Sequence, residues 1–113
     1  MAVALNVFKT LSVTLASGAT QNVYTPTTGY NGIVLMAQLA NVTASTATAT
    51  VSHYSPADST ETELIKNFAI PANDAASATT GKLVIQENHI LRASASASST
   101  IKLTLSILES YNG

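Results

Sequence analysis

The 113-residue sequence contains no cysteine and no tryptophan, and only 10% of its residues are charged. Without cysteine there is no disulfide framework, no thiolate nucleophile and no cysteine-based metal site. Five lysines and arginines stand against six acids, for a net charge of −1. So few cations, spread along the chain, do not form a basic patch able to neutralise several phosphates, which argues against nucleic-acid binding. No apolar run reaches the roughly 20 residues that a helix needs to cross a bilayer. The N-terminus MAVALNVFKT has no basic region followed by an apolar stretch. No signal peptide is therefore expected, and synthesis in a cytoplasm is.

What is present is an apolar chain dressed in small polar residues. Hydrophobic residues make up 46% of an 11.6 kDa chain, enough for one domain with a real core and too little for two. A typical soluble domain carries about a quarter charged residues. Here serine, threonine and asparagine must cover the surface instead. Such a surface has little electrostatic protection against association, which suits a protein whose flanks are covered by partners.

The hydrophobic pattern is that of strands. Ile33 to Val42 is apolar at nearly every position, interrupted mainly by Gln38, and reads as a strand buried on both faces. Thr46 to Tyr54 alternates strictly, with Ala47, Ala49, Val51 and His53 on one face and Thr46, Thr48, Thr50, Ser52 and Tyr54 on the other. Asn41-Val-Thr-Ala-Ser45 between them is expected to close a hairpin. Before this centre, residues 4 to 15 alternate, with Lys9 breaking an otherwise apolar face, and Gln21 to Thr25 forms a short strand stopped by Pro26. After it come Glu63 to Ile70, which would also fit a short helix but reads as a strand beside Pro71, then Lys82 to Gln86, His89 to Ala97 and Thr100 to Leu108. Pro71 to Ala75 reads as a turn and Ala76 to Thr80 as a small, polar link.

About eight short strands with turns every 8 to 12 residues define an all-β, single antiparallel β-sandwich, jelly-roll or Ig-like, over residues 1–113. Residues 1–7 are expected to form an N-terminal arm and 110–113 a frayed tail. The tracts ATASTATAT and ASASASS place small residues on both faces, which implies a thin region of the sandwich at an edge or a subunit contact.

Chemistry-bearing residues are few. His53 and His89 lie at strand ends and would need a carboxylate such as Asp58, Glu87 or Asp74 to hold zinc; no HxH or HExxH spacing is present. Asp58, Glu61 and Glu63 cluster in a loop without the spacing of a calcium loop. Glu87 and Glu109 are the remaining candidate acid pair. Asn41-Val-Thr43 matches the glycosylation pattern, without a secretory signal to make use of it. Tyr24, Tyr30, Tyr54 and Tyr111 sit at strand or loop ends, and a sugar-binding surface would need Tyr30 and Tyr54 side by side. These residues define no catalytic centre, cofactor site or metal site.

Longer segments carry a resemblance. They are Val23-Tyr-Thr-Pro26 leading into Gly32-Ile-Val-Leu35, Ala40-Asn-Val-Thr43 before a threonine-rich strand ending in His53, Glu63-Leu-Ile-Lys-Asn67, Ala69-Ile-Pro-Ala-Asn-Asp-Ala75, Gly81-Lys-Leu-Val-Ile-Gln-Glu87 and Leu105-Ser-Ile-Leu-Glu109. Together they resemble a group of small virion structural proteins of tailed bacteriophages, over about residues 20 to 109. The chain departs from that group at Glu87-Asn-His89, where a glycine often precedes the penultimate strand. The resemblance implies a non-enzymatic component located in the virion, with no active site and no cofactor. The expected function is a capsid decoration or cement protein that binds the major capsid protein lattice as an oligomer, most simply a homotrimer. A neck, baseplate or tail-fibre component is the alternative, and a host-glycan-binding module the third. Leu5, Val7 and Phe8 in the arm, with Tyr54, Asp58 and Glu61 around the acidic loop, are the expected partner contacts.

Overall fold

The computed structural model describes residues 5–79 and 81–111, and every regular element among them is a strand. These are β1 (Asn6–Thr14), β2 (Gln21–Tyr24), β3 (Tyr30–Asn41), β4 (Ala47–Ser55), β5 (Thr60–Ile70), β6 (Ala75–Ser77), β7 (Leu83–Ile85), β8 (Ile90–Ala95) and β9 (Ile101–Tyr111). The start of the expected arm, Met1 to Ala4, and the end of the expected tail, Asn112 and Gly113, lie outside the described residues.

The chain is a long antiparallel ribbon rolled into two sheets. Its tip is the β4–β5 turn, where Ser59 N–H donates to the Pro56 carbonyl and Ser59 takes a positive φ. From that tip the two halves pair back along their length: β4 with β5, β3 with β6 and β7, β2 with β8, and β1 with β9. Rolling then adds the pairs β3–β9 and β4–β8. One sheet has the order β1-β9-β3, with β6 and β7 sharing the far side of β3; the other has the order β2-β8-β4-β5. This is jelly-roll connectivity, with β6 and β7 as two pieces of one interrupted edge.

The sandwich expected from the alternation is present, and four local readings are corrected. First, Asn41 to Ser45 does not close a hairpin, because β3 and β4 belong to different sheets. The Asn41 amide donates to the Ser45 and Ile70 carbonyls while its oxygen accepts from the Thr43 N–H and hydroxyl. The segment is thereby pinned as an arch that turns the apolar faces of β3 and β4 toward each other. Those contacts also bury the asparagine of the glycosylation pattern. Second, Ala75–Ser77 is a strand rather than part of a turn and link, held opposite Gln38–Ala40.

Third, β3 is not buried on both faces. A bulge between Val34 and Met36 shifts its alternation by one residue, so Val34 faces the core before it and Ala37 and Leu39 after it. Leu35 and Met36 are left partly exposed, and Gln38 points outward. Fourth, Asn6 and Val7 are strand residues opposite Ser110 and Glu109, and Tyr111 N–H donates to the Leu5 carbonyl. The ends of the described chain hold each other in the sheet, so neither frays as an arm or tail there.

The core is asymmetric. The β1-β9-β3 sheet supplies Val34, Leu39, Ile101, Leu103, Leu105 and Ile107, and β4 and β8 supply mainly Ala47, Ala49, Ala93 and Ala95. Large side chains from one layer thus fill space left by small ones from the other. The alanine-rich tracts do make a thin layer, but not at an edge: β4 and β8 are the two inner strands of their sheet.

Candidate functional site

Four places in the fold gather polar or exposed apolar side chains. The first lies between the sheets. Lys9, the charge that interrupts the apolar face of β1, reaches Glu109 on β9 at 3.1 Å. Glu109 is 1% exposed and also accepts from the Tyr24 hydroxyl at 2.7 Å and from the Thr27 N–H at 3.2 Å. Burial alone would raise its pKa, but the bonds from Tyr24, Thr27 and Lys9 outweigh burial and hold the carboxyl below its usual range. Burial, reinforced by the same carboxylate, pushes the Tyr24 phenol far above its usual range. Gly32 lies directly beneath the Tyr24 ring; a Cβ there would collide with it, so glycine is required by close approach. Every charge in this cluster is matched, and it locks β1, β2, β9 and the 25–29 loop together. Glu87 holds the same loop through the Gly29 N–H at 2.8 Å. The candidate acid pair Glu87 and Glu109 is thus two loop anchors.

The second place is the His53–His89 pair. Their ring nitrogens, Nε2 and Nδ1, are 2.9 Å apart, across the β4–β8 register at one end of the sandwich. Desolvation, then repulsion from His89, lowers the His53 pKa. Sequence reasoning named both histidines, and the fold does bring them together. No group of three histidine, aspartate or glutamate side chains that could hold a metal ion occurs among the described residues. Asp58 is engaged with the Ser55 hydroxyl in the β4–β5 turn, and Asp74 with the Ala75 N–H.

The third place is the outer face of the β2-β8-β4-β5 sheet. Glu61 accepts from Ser52 at 2.7 Å, Arg92 at 3.0 Å and Thr20 at 3.1 Å. The Ser52 bond is the chief reason that its pKa is lowered, against the opposing effect of burial. Arg92 also donates to Asn22 and lies 3.8 Å over the Tyr54 ring. Tyr54 and Glu61, both expected as partner contacts, are therefore half-buried and occupied within the chain. Tyr30 belongs to the other sheet, where its ring meets Tyr111 edge-on at 5.5 Å. Tyr30 and Tyr54 do not form the side-by-side platform that a sugar would need.

The fourth place is the outer face of the opposite sheet, which sequence reasoning took to be covered. The registers align Phe8 with Leu108, Leu108 with Ile33, and Ile33 with Val84. Directly opposed residues share a face, so these four make one apolar row across β1, β9, β3 and β7. Phe8 is 76% and Val84 56% exposed. Met36, one row away opposite Ser106, widens the patch. Of the expected arm contacts, Phe8 stands on this face and Leu5 is exposed just before β1, whereas Val7 points to the core side opposite Glu109. The sequence did carry a signal for the row, since outward Phe8, Ile33, Val84 and Leu108 sit at positions where the other strands place serine or threonine.

Among the described residues the depressions are shallow. The one lined by Leu64, Ile65, Ala78 and Leu83, between β5 and the β6–β7 edge, holds about 270 Å³. A wider one, lined by Ala40, Asn41, Val42, Asn73, Asp74 and Ala75, measures about 480 Å³; both lie open to solvent, whereas small-molecule sites enclose most of the ligand.

No known protein-family model matches the chain, and no curated protein is similar to it in sequence.

Proposed function

We propose that this chain is a non-enzymatic structural protein of a tailed-bacteriophage particle, a decoration or cement protein that binds the major capsid lattice as an oligomer and stabilises the head. The observation that carries this reading is the sparsely charged outer face of the β1-β9-β3-β7 sheet, with its exposed apolar row. Contiguous apolar surface bordered by polar residues marks sites of protein contact. The jelly-roll supports the reading in general terms, because viral capsid domains use it, as do lectins and cupins. Fold by itself assigns no function. Each lattice contact of a small domain is weak, and several copies engaging several shell subunits at once give tight attachment.

The test is location. Intact particles are separated into heads and tails, and the chain is sought in each by mass spectrometry and cryo-EM. Presence on the outside of heads, at positions between capsid subunits, is the expected result. Presence in tails alone overturns the decoration reading in favour of a neck, baseplate or tail-fibre role. Absence from both removes the structural reading altogether.

A further inference from the structure

We infer that the outer face of the β1-β9-β3-β7 sheet packs against the same face of a second copy of this chain, forming a two-fold dimer centred on Phe8, Leu108, Ile33 and Val84. The inference rests on the reading of the chain as an assembly module and names the surface by which it self-associates.

Three observations point to a copy as the occupant. The first is charge. At the paired positions of this face the only charged residue is Lys102, three rows from Leu108 along β9, or about 20 Å. The other paired positions around the row are mostly serine, threonine, asparagine and glutamine. A face with almost no charge gains nothing from an oppositely charged partner and meets no repulsion from itself.

The second is shape. The row runs from a large side chain, Phe8, on the edge strand to a small one, Val84, on the far strand. A two-fold axis lying in the interface and parallel to the strands sets Phe8 of one copy over Val84 of the other, and Leu108 over Ile33. Large then meets small at both ends, as an isologous contact requires. Four strands about 4.8 Å apart and five paired rows about 7 Å apart give a footprint of roughly 30 by 19 Å. That is roughly 570 Å², approaching the about 800 Å² per partner of stable interfaces, with the apolar row second of the five and polar residues around it.

The third is that the alternative route, strand addition at an edge, is blunted. β1 carries Lys9 on its core-facing side, an inward charge that a continuing strand would bury. β5 is broken by two register shifts, with Asn67 at positive φ. β2 has four residues and runs on to Pro26, and β6 and β7 have three each. Association is left to the face.

A self-matching face closes at two copies, so this surface builds a dimer in place of the expected trimer. The test is the mass of the purified chain by sedimentation equilibrium and light scattering. Wild type is expected at twice 11.6 kDa at micromolar concentration. Phe8→Glu and Val84→Lys, both at exposed positions, are expected to weaken the dimer at least tenfold while keeping the melting temperature that wild type shows when diluted to the monomer. Lys66→Glu, exposed on β5 of the opposite sheet, is expected to leave the mass unchanged. A wild-type mass of one or of three chains overturns the inference, as does a Phe8→Glu chain that dimerises like wild type. The assay uses no particles, so a mass other than that of a dimer defeats this inference alone, and the location of the chain in heads or tails still decides the proposed function.

Discussion

The two outer faces of the sandwich are built from the same kind of strands and finished in opposite ways. On the β2-β8-β4-β5 sheet, Glu61, Arg92, Ser52 and Tyr54 satisfy one another, and the face is complete within a single chain. On the β1-β9-β3-β7 sheet, one row across the face is Phe8, Leu108, Ile33 and Val84, which have only one another. A polar network buries its own charges and needs no partner; an apolar row gains free energy only when something covers it. The difference teaches that surface composition should be read per face. Averaged over the chain, 10% charge describes neither side.

Substitutions can separate the interior from both faces, and the faces from each other. The largest loss of stability is expected for Glu109→Ala, which strips Tyr24, Thr27 and Lys9 of their shared acceptor; about 3 kcal/mol should disappear in urea unfolding. Ala49→Leu, at a position 1% exposed opposite Ala95, should overpack the thin layer and cost about 1–3 kcal/mol. If the chain assembles, that loss belongs to the fold and not to the interface. Arg92→Ala should cost about 1 kcal/mol in the same assay, by opening the polar face without changing the mass. Phe8→Glu should change stability by no more than about 0.5 kcal/mol while changing the mass, the reverse pattern.

Acid should act in two stages. His53 has its folded pKa lowered, so the unfolded chain takes up a proton first. Stability therefore falls as pH drops below about 6.5, until the folded His53 also titrates. Glu109 and Glu61 have lowered folded values as well, so the stability they contribute is present above about 4.3 and lost as pH falls through their folded pKa values. Thermal melts from pH 8 to pH 3 should show both declines. His53→Gln should remove the upper one and leave the lower.

Much of the fold was legible because strand alternation is a local property. The register of Thr48, Thr50 and Ser52 against Ala47, Ala49 and Val51 placed the core face of β4 correctly. What stayed hidden was non-local. Turn chemistry at Asn41 to Ser45 is the same for a hairpin and for an arch; only the Asn41 bonds to Ile70 and Ser45 distinguish them. The bulge at Leu35 merges two half-exposed phases into one apolar run, which is how β3 came to look buried on both sides. Three residues, Ala75–Ser77, are too few to carry a period. Lys9 looked like an interruption and Glu109 like half of an acid pair, and they explain each other only once β1 and β9 are paired.

The most direct measurement uses the absence of native cysteine. Val84→Cys and Lys66→Cys place single thiols at exposed positions, one on the apolar row and one on the opposite sheet. Their maleimide labelling rates are compared as protein concentration rises. The thiol on the apolar row should become strongly protected while the other keeps its rate. Equal rates at every concentration would mean that nothing covers the face.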